Sequence, residues 1–302
     1  MSLFKGSGVA LITPFKYDLY NNIVIDYDTL ETLIDFHLNN NTDSIIICGT
    51  TGEAATMSEN EHIECIKRCV EYVDGKIPVI AGTGSNNTIT AIHLSQEAEK
   101  VGADGLLCVT PYYNKTNQEG LKLYYKRISD NVGIPIIMYN VPSRTGLNIE
   151  PITAKEIYDM NKNIVGIKEA SGNIEQIKYL NKISDIDIYS GNDDQIYDIL
   201  ECGGIGVISV LANILPNETH NIVFNYLNDN KFKSYMEQEK VLRLCKDLFI
   251  DVNPIPVKKA CEYLNMSKGI VREPLVELND FKTKKLVKTI DNYFDKNIKN
   301  GK

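Results

Sequence analysis

The chain has 302 residues, of which 43% are hydrophobic and 24% charged, a composition that excludes a disordered protein and suffices for one large domain or two small ones. Its formal net charge is −8 and no basic stripe offsets it, so nucleic acid and anionic membranes are disfavoured as partners, while small anionic substrates stay open. No apolar run approaches the ~20 residues that span a bilayer, and the N-terminal residues lack a signal-peptide pattern, so we expect a cytoplasmic protein.

Short β-rich runs recur along the chain, and most neighbouring pairs enclose a stretch with helical periodicity. Regular alternation of strand and helix predicts parallel strands joined by helical crossovers, and eight such units close a (β/α)₈ TIM barrel. An open doubly wound sheet is the competing architecture. The eight runs are Val9–Thr13, Ser44–Cys48, Pro78–Ala81, Leu106–Thr110, Pro135–Tyr139, Val165–Lys168, Ile186–Ser190 and Gly206–Val210.

The predicted helices carry ordinary start signals. The pattern over Ser58–Tyr72 opens with Ser58 and has Glu61 three positions later, which is a capping box. After the eighth run the alternation stops, so we divide the chain into a catalytic barrel (residues 1–228) and a C-terminal helical extension (residues 229–302), whose Lys-rich end is interpreted as a solvated face. Three helical patterns make up this extension, near Phe232–Phe249, Pro256–Leu264 and Asp280–Lys296.

The cysteines and histidines do not indicate a metal site. The seven cysteines are odd in number and scattered in apolar surroundings, so we interpret them as reduced core residues and not as a disulfide framework. Cys65 and Cys69 could share a helix face, but two thiols without nearby histidines make a poor metal site. The four histidines all fall in predicted helices without an HExxH motif, which disfavours metal-dependent aldol chemistry; they are His37, His62, His93 and His220.

A lone lysine, Lys168, stands at the end of an apolar run within Asn163–Gly172. Burial disfavours the ammonium form and lowers a lysine pKa, which leaves a neutral amine able to attack a carbonyl and form a Schiff base. The alternative is that Lys168 only ends its strand and extends to solvent. Other segments must decide between the two.

Further candidate residues follow the predicted strands, where a parallel barrel places its active site. Thr50 and Thr51 lie between glycines, an arrangement that lets hydroxyls and backbone amides approach a small carboxylate, although an ordinary turn would look the same. Tyr113 and Tyr139 could transfer protons or simply pack. Arg144 offers a bidentate fork for a carboxylate, unless it is a solvated loop residue.

Glycines mark the last two strand ends. Gly191 follows the seventh predicted strand, and Gly206 opens the eighth, which contains Ile208. Without a side chain at these glycines, main-chain groups can face the barrel mouth. We interpret them as residues that shape the site.

Five of these segments together resemble the synthase branch of the dihydrodipicolinate synthase and N-acetylneuraminate lyase family of pyruvate-dependent class I aldolases. The resemblance runs from Gly6 to about Pro216, and the segment with Arg144 discriminates the synthase branch from sugar-acid lyases. It implies a lyase of the diaminopimelate and lysine biosynthesis pathway. The segments are Gly49–Glu53 (GTTGE), Thr110–Asn114 (TPYYN), Tyr139–Gly146 (YNVPSRTG), Gly166–Gly172 (GIKEASG) and Ser190–Asp193 (SGND).

The resemblance also implies residue roles. Lys168 would form the Schiff base with pyruvate, without an external cofactor, and Tyr139 would donate and accept protons through a relay with Thr50 and Tyr113. Tyr113 would reach a neighbouring subunit's site, so the family pattern implies a homo-oligomer, at least a dimer and more typically a tetramer. The substrate-binding set would be Thr51, the main chain at Ile208, Gly191 and, for the carboxylate of L-aspartate 4-semialdehyde, Arg144.

Two rival functions stay open at this point: a sugar-acid aldolase of the same family, and a pyruvate sensor without turnover.

The resemblance also bears on inhibition by lysine at a dimer interface, where Ala55, Asn86 and Tyr112 fit the lysine-sensitive pattern. Glu59 and Thr90 depart from it, because sensitive members carry a histidine and a glutamate there. We therefore expect lysine inhibition to be weak or absent.

Overall fold

A computed structural model of the protein describes residues 2–300, with side chains described up to residue 295. Within these residues, eight parallel strands close into a barrel in the order β1-β10-β9-β8-β7-β6-β5-β4, which confirms the predicted (β/α)₈ architecture over the open sheet. The strands are β1 (Gly6–Ala10), β2 (Phe15–Tyr17), β3 (Ile23–Ile25), β4 (Ser44–Ile47), β5 (Val79–Gly82), β6 (Gly105–Val109), β7 (Ile136–Asn140), β8 (Ile164–Glu169), β9 (Asp187–Ser190) and β10 (Gly206–Ser209).

The barrel strands are buried on both faces, which explains their nearly continuous apolar sequences. The first strand lies earlier in the chain than predicted, since β1 begins at Gly6 and ends at Ala10. Its Gly-Ser-Gly start resembles a loop, yet Gly6 pairs with Gly206 across the closing seam. A Cβ at Gly206 would lie 2.4 Å from the carbonyl oxygen of Gly6, so these glycines allow the two backbones to approach.

A short hairpin, β2–β3, follows the first barrel strand and was not predicted from the sequence. Each strand has three residues, too few for an alternating pattern to be recognised. Asp18 closes the turn by accepting hydrogen bonds from the backbone amides of Tyr20 and Asn22. Phe15, at the start of the hairpin, is fully buried.

The helices cover the outside of the barrel, and the Ser58–Glu61 capping box is present at the start of α2. None of the described helices is long and apolar enough to cross a membrane. The helices are α1 (Tyr27–Leu38), α2 (Glu59–Val73), α3 (Thr88–Lys100), α4 (Gln118–Ser129), α5 (Pro142–Thr145), α6 (Pro151–Met160), α7 (Ile174–Ile183), α8 (Ile196–Glu201), α9 (Pro216–Leu227), α10 (Lys231–Asp247), α11 (Ile255–Tyr263) and α12 (Asp280–Asn300).

The last three helices confirm the three patterns predicted after the barrel. Helix α10 packs on α9 of the barrel, and α12 packs on both α10 and α11. In the Lys-rich end, Lys284 and Lys288 are exposed as predicted, while Lys282 lies 2.6 Å from Asp251 and Lys285 lies 3.4 Å from the buried Asp247. The predicted tail from residue 296 on lies outside the described side chains. The division of the chain at residue 228 stays a prediction.

All seven cysteines are free thiols in buried positions, as expected from their apolar surroundings. Cys65 and Cys69 do share the inner face of α2. Within the described residues, no group of three or more His, Cys, Asp or Glu side chains is arranged to hold a metal ion.

Candidate active site

A cavity of about 380 Å³ opens at the C-terminal ends of the barrel strands. Loops after the strands supply most of its wall, and the C-terminal extension supplies the rest through residues 249–253. Its lining includes Ala10, Ile46, Gly49, Thr50, Thr51, Leu107, Tyr139, Val141, Ser143, Arg144, Lys168, Ala170, Gly191, Asn192, Val210, Phe249, Asp251, Val252 and Asn253.

Lys168 projects into this cavity from β8 and is only 5% exposed, so it does not extend to solvent. Burial lowers its pKa from 10.5 to about 8, because the ammonium loses hydration. The negative charge of Asp193 opposes this shift, and the positive charge of Arg144 adds to it. Roughly a tenth of Lys168 is therefore a neutral amine at pH 7, far more than for a lysine with the ordinary pKa of 10.5.

Tyr139 lies beside Lys168, on the adjacent strand β7, with its side chain buried. Its hydroxyl makes a hydrogen bond with Thr50. Burial raises the pKa of Tyr139, while the charge of Arg144 and the bond to Thr50 act in the opposite direction. A protonated phenol is thus placed next to the amine, with a hydroxyl partner for proton transfer.

Thr51 and Arg144 both contact Asn253 of the extension. The Asn253 side-chain nitrogen donates to Thr51 Oγ1 at 3.0 Å, and Arg144 Nη2 donates to the main-chain oxygen of Asn253 at 3.1 Å. The extension therefore links the residue predicted to hold pyruvate to the one predicted to hold the second substrate.

Glu53 anchors the loop that carries Thr50 and Thr51. This residue has a left-handed backbone conformation, with φ of 56°. Its buried carboxylate forms an ion pair with Lys258 of α11 and accepts a hydrogen bond from the backbone amide of Arg272 at 3.1 Å. The extension thus anchors the loop at a position where the backbone is strained.

Of the remaining three predicted site residues, two do not line the cavity and one does. Tyr113 lies outside the cavity with 92% of its surface exposed, and its backbone φ of 69° turns the loop after β6. Ile208 is buried in the barrel interior on β10 and is not among the lining residues. Gly191 does line the cavity, where an added Cβ would lie 2.6 Å from the Cβ of Ala170.

Comparison with known proteins identifies the family. The model of the dihydrodipicolinate synthetase family matches residues 3–293. The chain belongs to this family. A 4-hydroxy-tetrahydrodipicolinate synthase of Caldicellulosiruptor bescii is 55% identical over 294 residues, which cover 97% of this chain and 98% of the relative.

Solved structures of the dihydrodipicolinate synthetase family share the whole fold. The dihydrodipicolinate synthase of Aquifex aeolicus is 41% identical with a TM-score of 0.93, covering 96% of this chain and 98% of that one. A structure described as the first monomeric dihydrodipicolinate synthase variant is also 41% identical with a TM-score of 0.93, covering 96% of this chain and 97% of that one.

The contribution of the extension to this cavity was not predicted from the sequence. Asp251 and Asn253 lie in an Asp-Val-Asn-Pro segment between two helices, and an Asn-Pro pair is typical of a turn but does not indicate a binding site. Asp193 was likewise given no role of its own, although it is a buried carboxylate that accepts hydrogen bonds from Ser209 and from two backbone amides after β10.

A second cavity, of about 390 Å³, lies beside the first one. Its lining includes Ala55, Glu59, Thr90 and Tyr112, four of the five positions considered for lysine inhibition. Asn86 lines a different cavity. Glu59 Oε2 is 3.9 Å from His93 Nε2, so the acidic group on this wall already faces an imidazole.

Proposed function

We propose that the protein is a 4-hydroxy-tetrahydrodipicolinate synthase that condenses pyruvate with L-aspartate 4-semialdehyde through a Schiff base on Lys168. The observation that carries this proposal is a buried lysine, with its pKa lowered to about 8, beside a buried tyrosine in a cavity at the barrel mouth. The family membership and the name of the C. bescii relative support the choice of substrates.

In the proposed reaction, the neutral amine of Lys168 attacks the ketone carbon of pyruvate, and loss of water gives an iminium ion. The iminium withdraws electrons, so the methyl carbon of pyruvate loses a proton and the iminium becomes an enamine. The enamine carbon attacks the aldehyde carbon of the second substrate, whose oxygen takes a proton. The amino group of that substrate then attacks the imine carbon, closes the ring and releases Lys168.

Proton transfers in this scheme fall to Tyr139, which takes and returns protons with Thr50 as its partner. The buried phenol has a raised pKa, so it is protonated at neutral pH and suited to donate in the step that expels water. No external cofactor is required, because the protonated imine itself withdraws the electrons.

The two substrate carboxylates are assigned to different residues. Thr51 and the main chain at Ile208 would hold the pyruvate carboxylate, with Gly191 leaving room for it. Arg144 would hold the carboxylate of the aldehyde substrate through its guanidinium fork.

We propose that the active form is a homo-oligomer, at least a dimer and more typically a tetramer. Tyr113 is almost wholly exposed in the single chain, which supports a role in the relay of a neighbouring subunit. A related structure is described as a monomeric variant, so the oligomeric state should be measured together with activity.

Two measurements test the function. Borohydride reduction in the presence of pyruvate should add one pyruvate-derived mass at Lys168, located by peptide mass spectrometry. Lys258 is the internal control, because it is also buried with its pKa lowered to about 8 but does not line the cavity. An adduct on Lys258, or one that persists in Lys168→Ala, would refute the assignment.

The second measurement is a coupled condensation assay with pyruvate and L-aspartate 4-semialdehyde. Turnover separates a synthase from a pyruvate sensor that forms the imine and stops. Cleavage of N-acetylneuraminate and keto-deoxygluconate should be absent, and efficient cleavage of either one would instead indicate a sugar-acid aldolase.

A further inference from the structure

The two strands that carry Tyr139 and Lys168 hold a second pair of side chains on their other face. Asn140 and Glu169 are the Cα partners that follow this pair along β7 and β8. Successive side chains of a strand point to opposite faces, and neither Asn140 nor Glu169 is among the residues that line the cavity. Both are almost completely buried, at 0% and 1% exposure. The proposed reaction uses neither of them.

Glu169 is a buried carboxylate that is held by neutral donors, and among the described residues no cation pairs with it. Asn140 Nδ2 lies 3.1 Å from both of its oxygens. The backbone amide of Ser171 donates to it at 2.9 Å, and Gln176 Nε2 donates at 3.0 Å. Three donors around one carboxylate fit its ionised form. The carboxylate therefore fixes the orientation of the Asn140 amide, with the nitrogen toward Glu169.

Asn140, oriented in this way, closes the loop that carries Arg144. Its Oδ1 accepts a hydrogen bond from the backbone amide of Ile149 at 3.0 Å, and its Nδ2 donates to Asn148 Oδ1 at 2.8 Å. Residues 141–147 therefore leave the strand and return to the same side chain. Arg144 lies between these two points, in the short helix α5.

The position of the Arg144 guanidinium depends on this closure. Its Nη2 donates to the main-chain oxygen of Asn253 at 3.1 Å, which steadies the end of the side chain. The backbone of Arg144 is placed by the base of the loop. Hydrogen bonds to a carboxylate depend on distance and angle, so a small displacement of the guanidinium weakens substrate binding.

We propose that Asn140 and Glu169 are positioning residues that orient Arg144 for the carboxylate of the second substrate. They act through the loop and do not touch the substrate. This inference rests on the proposed function and deepens it, because it assigns control of the second substrate to a polar network on the outer face of the barrel.

Asn140→Asp tests the network with a nearly isosteric change. The new side chain can still accept from Ile149, but it no longer donates to Asn148 and it places a second carboxylate against Glu169. At saturating pyruvate, the KM for L-aspartate 4-semialdehyde should rise about tenfold, as for loss of a hydrogen bond to a charged group. Borohydride trapping of pyruvate on Lys168 should be largely retained. Equal loss of both functions would overturn the proposal.

A double-mutant cycle with Arg144→Ala distinguishes positioning from general support of the fold. If the network acts through Arg144, then adding Asn140→Asp to Arg144→Ala should lower kcat/KM by less than about twofold more. Effects that multiply in the double variant would refute the proposal.

An exchange variant and a matched control accompany the cycle. In Asn140→Asp with Glu169→Gln, the new amide can donate to the new carboxylate, so part of the lost affinity for the aldehyde should return. A double variant no better than Asn140→Asp would contradict the proposed bond. Asn161→Asp makes the same change at another buried asparagine, whose side chain donates to the main-chain oxygen of Ile157, and should leave this KM unchanged.

Gln176→Ala keeps the test valid if the Asn140 variants prove unfolded by circular dichroism. Gln176 is only half-buried, and its side chain contacts both Glu169 and Asn148. Its loss should raise the KM for the aldehyde about threefold without affecting pyruvate trapping. An unchanged KM would refute the role of the network.

The same measurements separate this inference from the proposed function. A normal kcat/KM in Arg144→Ala would refute the role of Arg144 in the proposed function itself. A large loss in Arg144→Ala, multiplied by an independent loss from Asn140→Asp, would refute only the positioning role of Asn140 and Glu169.

Discussion

The ammonium nitrogen of Lys168 lies 4.5 Å from the centre of the Tyr139 ring, and the two residues are Cα partners on the parallel strands β8 and β7. A cation over an aromatic face is stabilised, and Asp193 also favours the charged form. Burial outweighs both effects, because the pKa of Lys168 falls from 10.5 to about 8, which corresponds to about 3 kcal/mol. The net result is a lysine that changes charge close to physiological pH.

The first prediction concerns the pH dependence of imine formation. The nucleophile is the neutral amine, so the rate of borohydride-trapped adduct formation should rise with pH and reach half its maximum near the Lys168 pKa of about 8. At pH 7 roughly a tenth of the lysine would be neutral. Single-turnover trapping from pH 6 to 10 measures the curve, and a midpoint near that of free lysine would contradict the assignment.

Two substitutions should move this midpoint in opposite directions. Asp193 raises the pKa of Lys168 and Arg144 lowers it. Asp193→Asn should therefore shift the curve to lower pH, and Arg144→Ala should shift it to higher pH. Shifts of the same sign in both variants would show that general damage to the site dominates, so circular dichroism should accompany each curve.

The second prediction separates the two substrates. Arg144→Ala should still form the pyruvate imine at high pH, because the guanidinium is assigned to the aldehyde substrate. Its condensation kcat/KM should fall about tenfold to hundredfold, as expected for loss of charge-assisted hydrogen bonds to a carboxylate. Ser143→Ala, a neighbouring substitution on the cavity wall, serves as the control. Failure to trap pyruvate in Arg144→Ala at any pH would refute this division of roles.

The third prediction is that the proton relay spans two subunits. Mixed chains of Tyr113→Phe and Lys168→Ala, each inactive alone, should regain part of the activity, because some mixed dimers contain one site with both residues intact. Subunit exchange must be verified by native mass spectrometry. Complete absence of rescue in exchanged dimers would place Tyr113 outside the relay.

The fourth prediction concerns the buried ion pair beneath the active-site loop. Lys258→Met leaves the carboxylate of Glu53 without its partner in a site where both side chains are fully buried, and should cost about 3–5 kcal/mol of unfolding free energy. Activity should fall as well, because Glu53 anchors the loop with Thr50 and Thr51.

Urea denaturation measures the effect of Lys258→Met. Lys240→Met, which removes a solvent-exposed pair with Glu237 in the same extension, is the matched control and should change stability far less. The double variant Glu53→Gln with Lys258→Met should recover part of the loss, since no unpaired charge remains. Equal destabilisation by Lys258→Met and Lys240→Met would contradict this account.

The fifth prediction is that free lysine inhibits weakly or not at all. A lysine ammonium moved into the second cavity needs a carboxylate to offset its lost hydration, and Thr90 offers only a hydroxyl. Glu59 lines this cavity and is the group best placed to replace the missing charge, although more than half of its side chain is exposed. Half-inhibition below about 1 mM, equivalent to roughly −4 kcal/mol of binding, would contradict the prediction. Thr90→Glu should increase the sensitivity.

The sequence by itself predicted the architecture, and most of the candidate site residues that it named line the cavity. Strand and helix alternation is a local property, since burial on both faces of a parallel strand requires a continuous apolar run. A lysine at the end of such a run, as at Lys168, is therefore conspicuous in the sequence alone. The short hairpin β2–β3 was missed because three residues per strand carry too little periodicity.

Only the tertiary structure decided how the extension takes part in the site. Asn253 and Lys258 are far along the chain from Thr51 and Glu53, and no local pattern distinguishes a loop that lines a cavity from one that faces solvent. Their pairing depends on how α10–α12 pack against the barrel, which is a property of long-range packing. Burial alone predicted that the pKa of Lys168 would be lowered. The charges of Asp193 and Arg144 also contribute to this pKa, but these two residues could be named only once the fold had brought them close to Lys168.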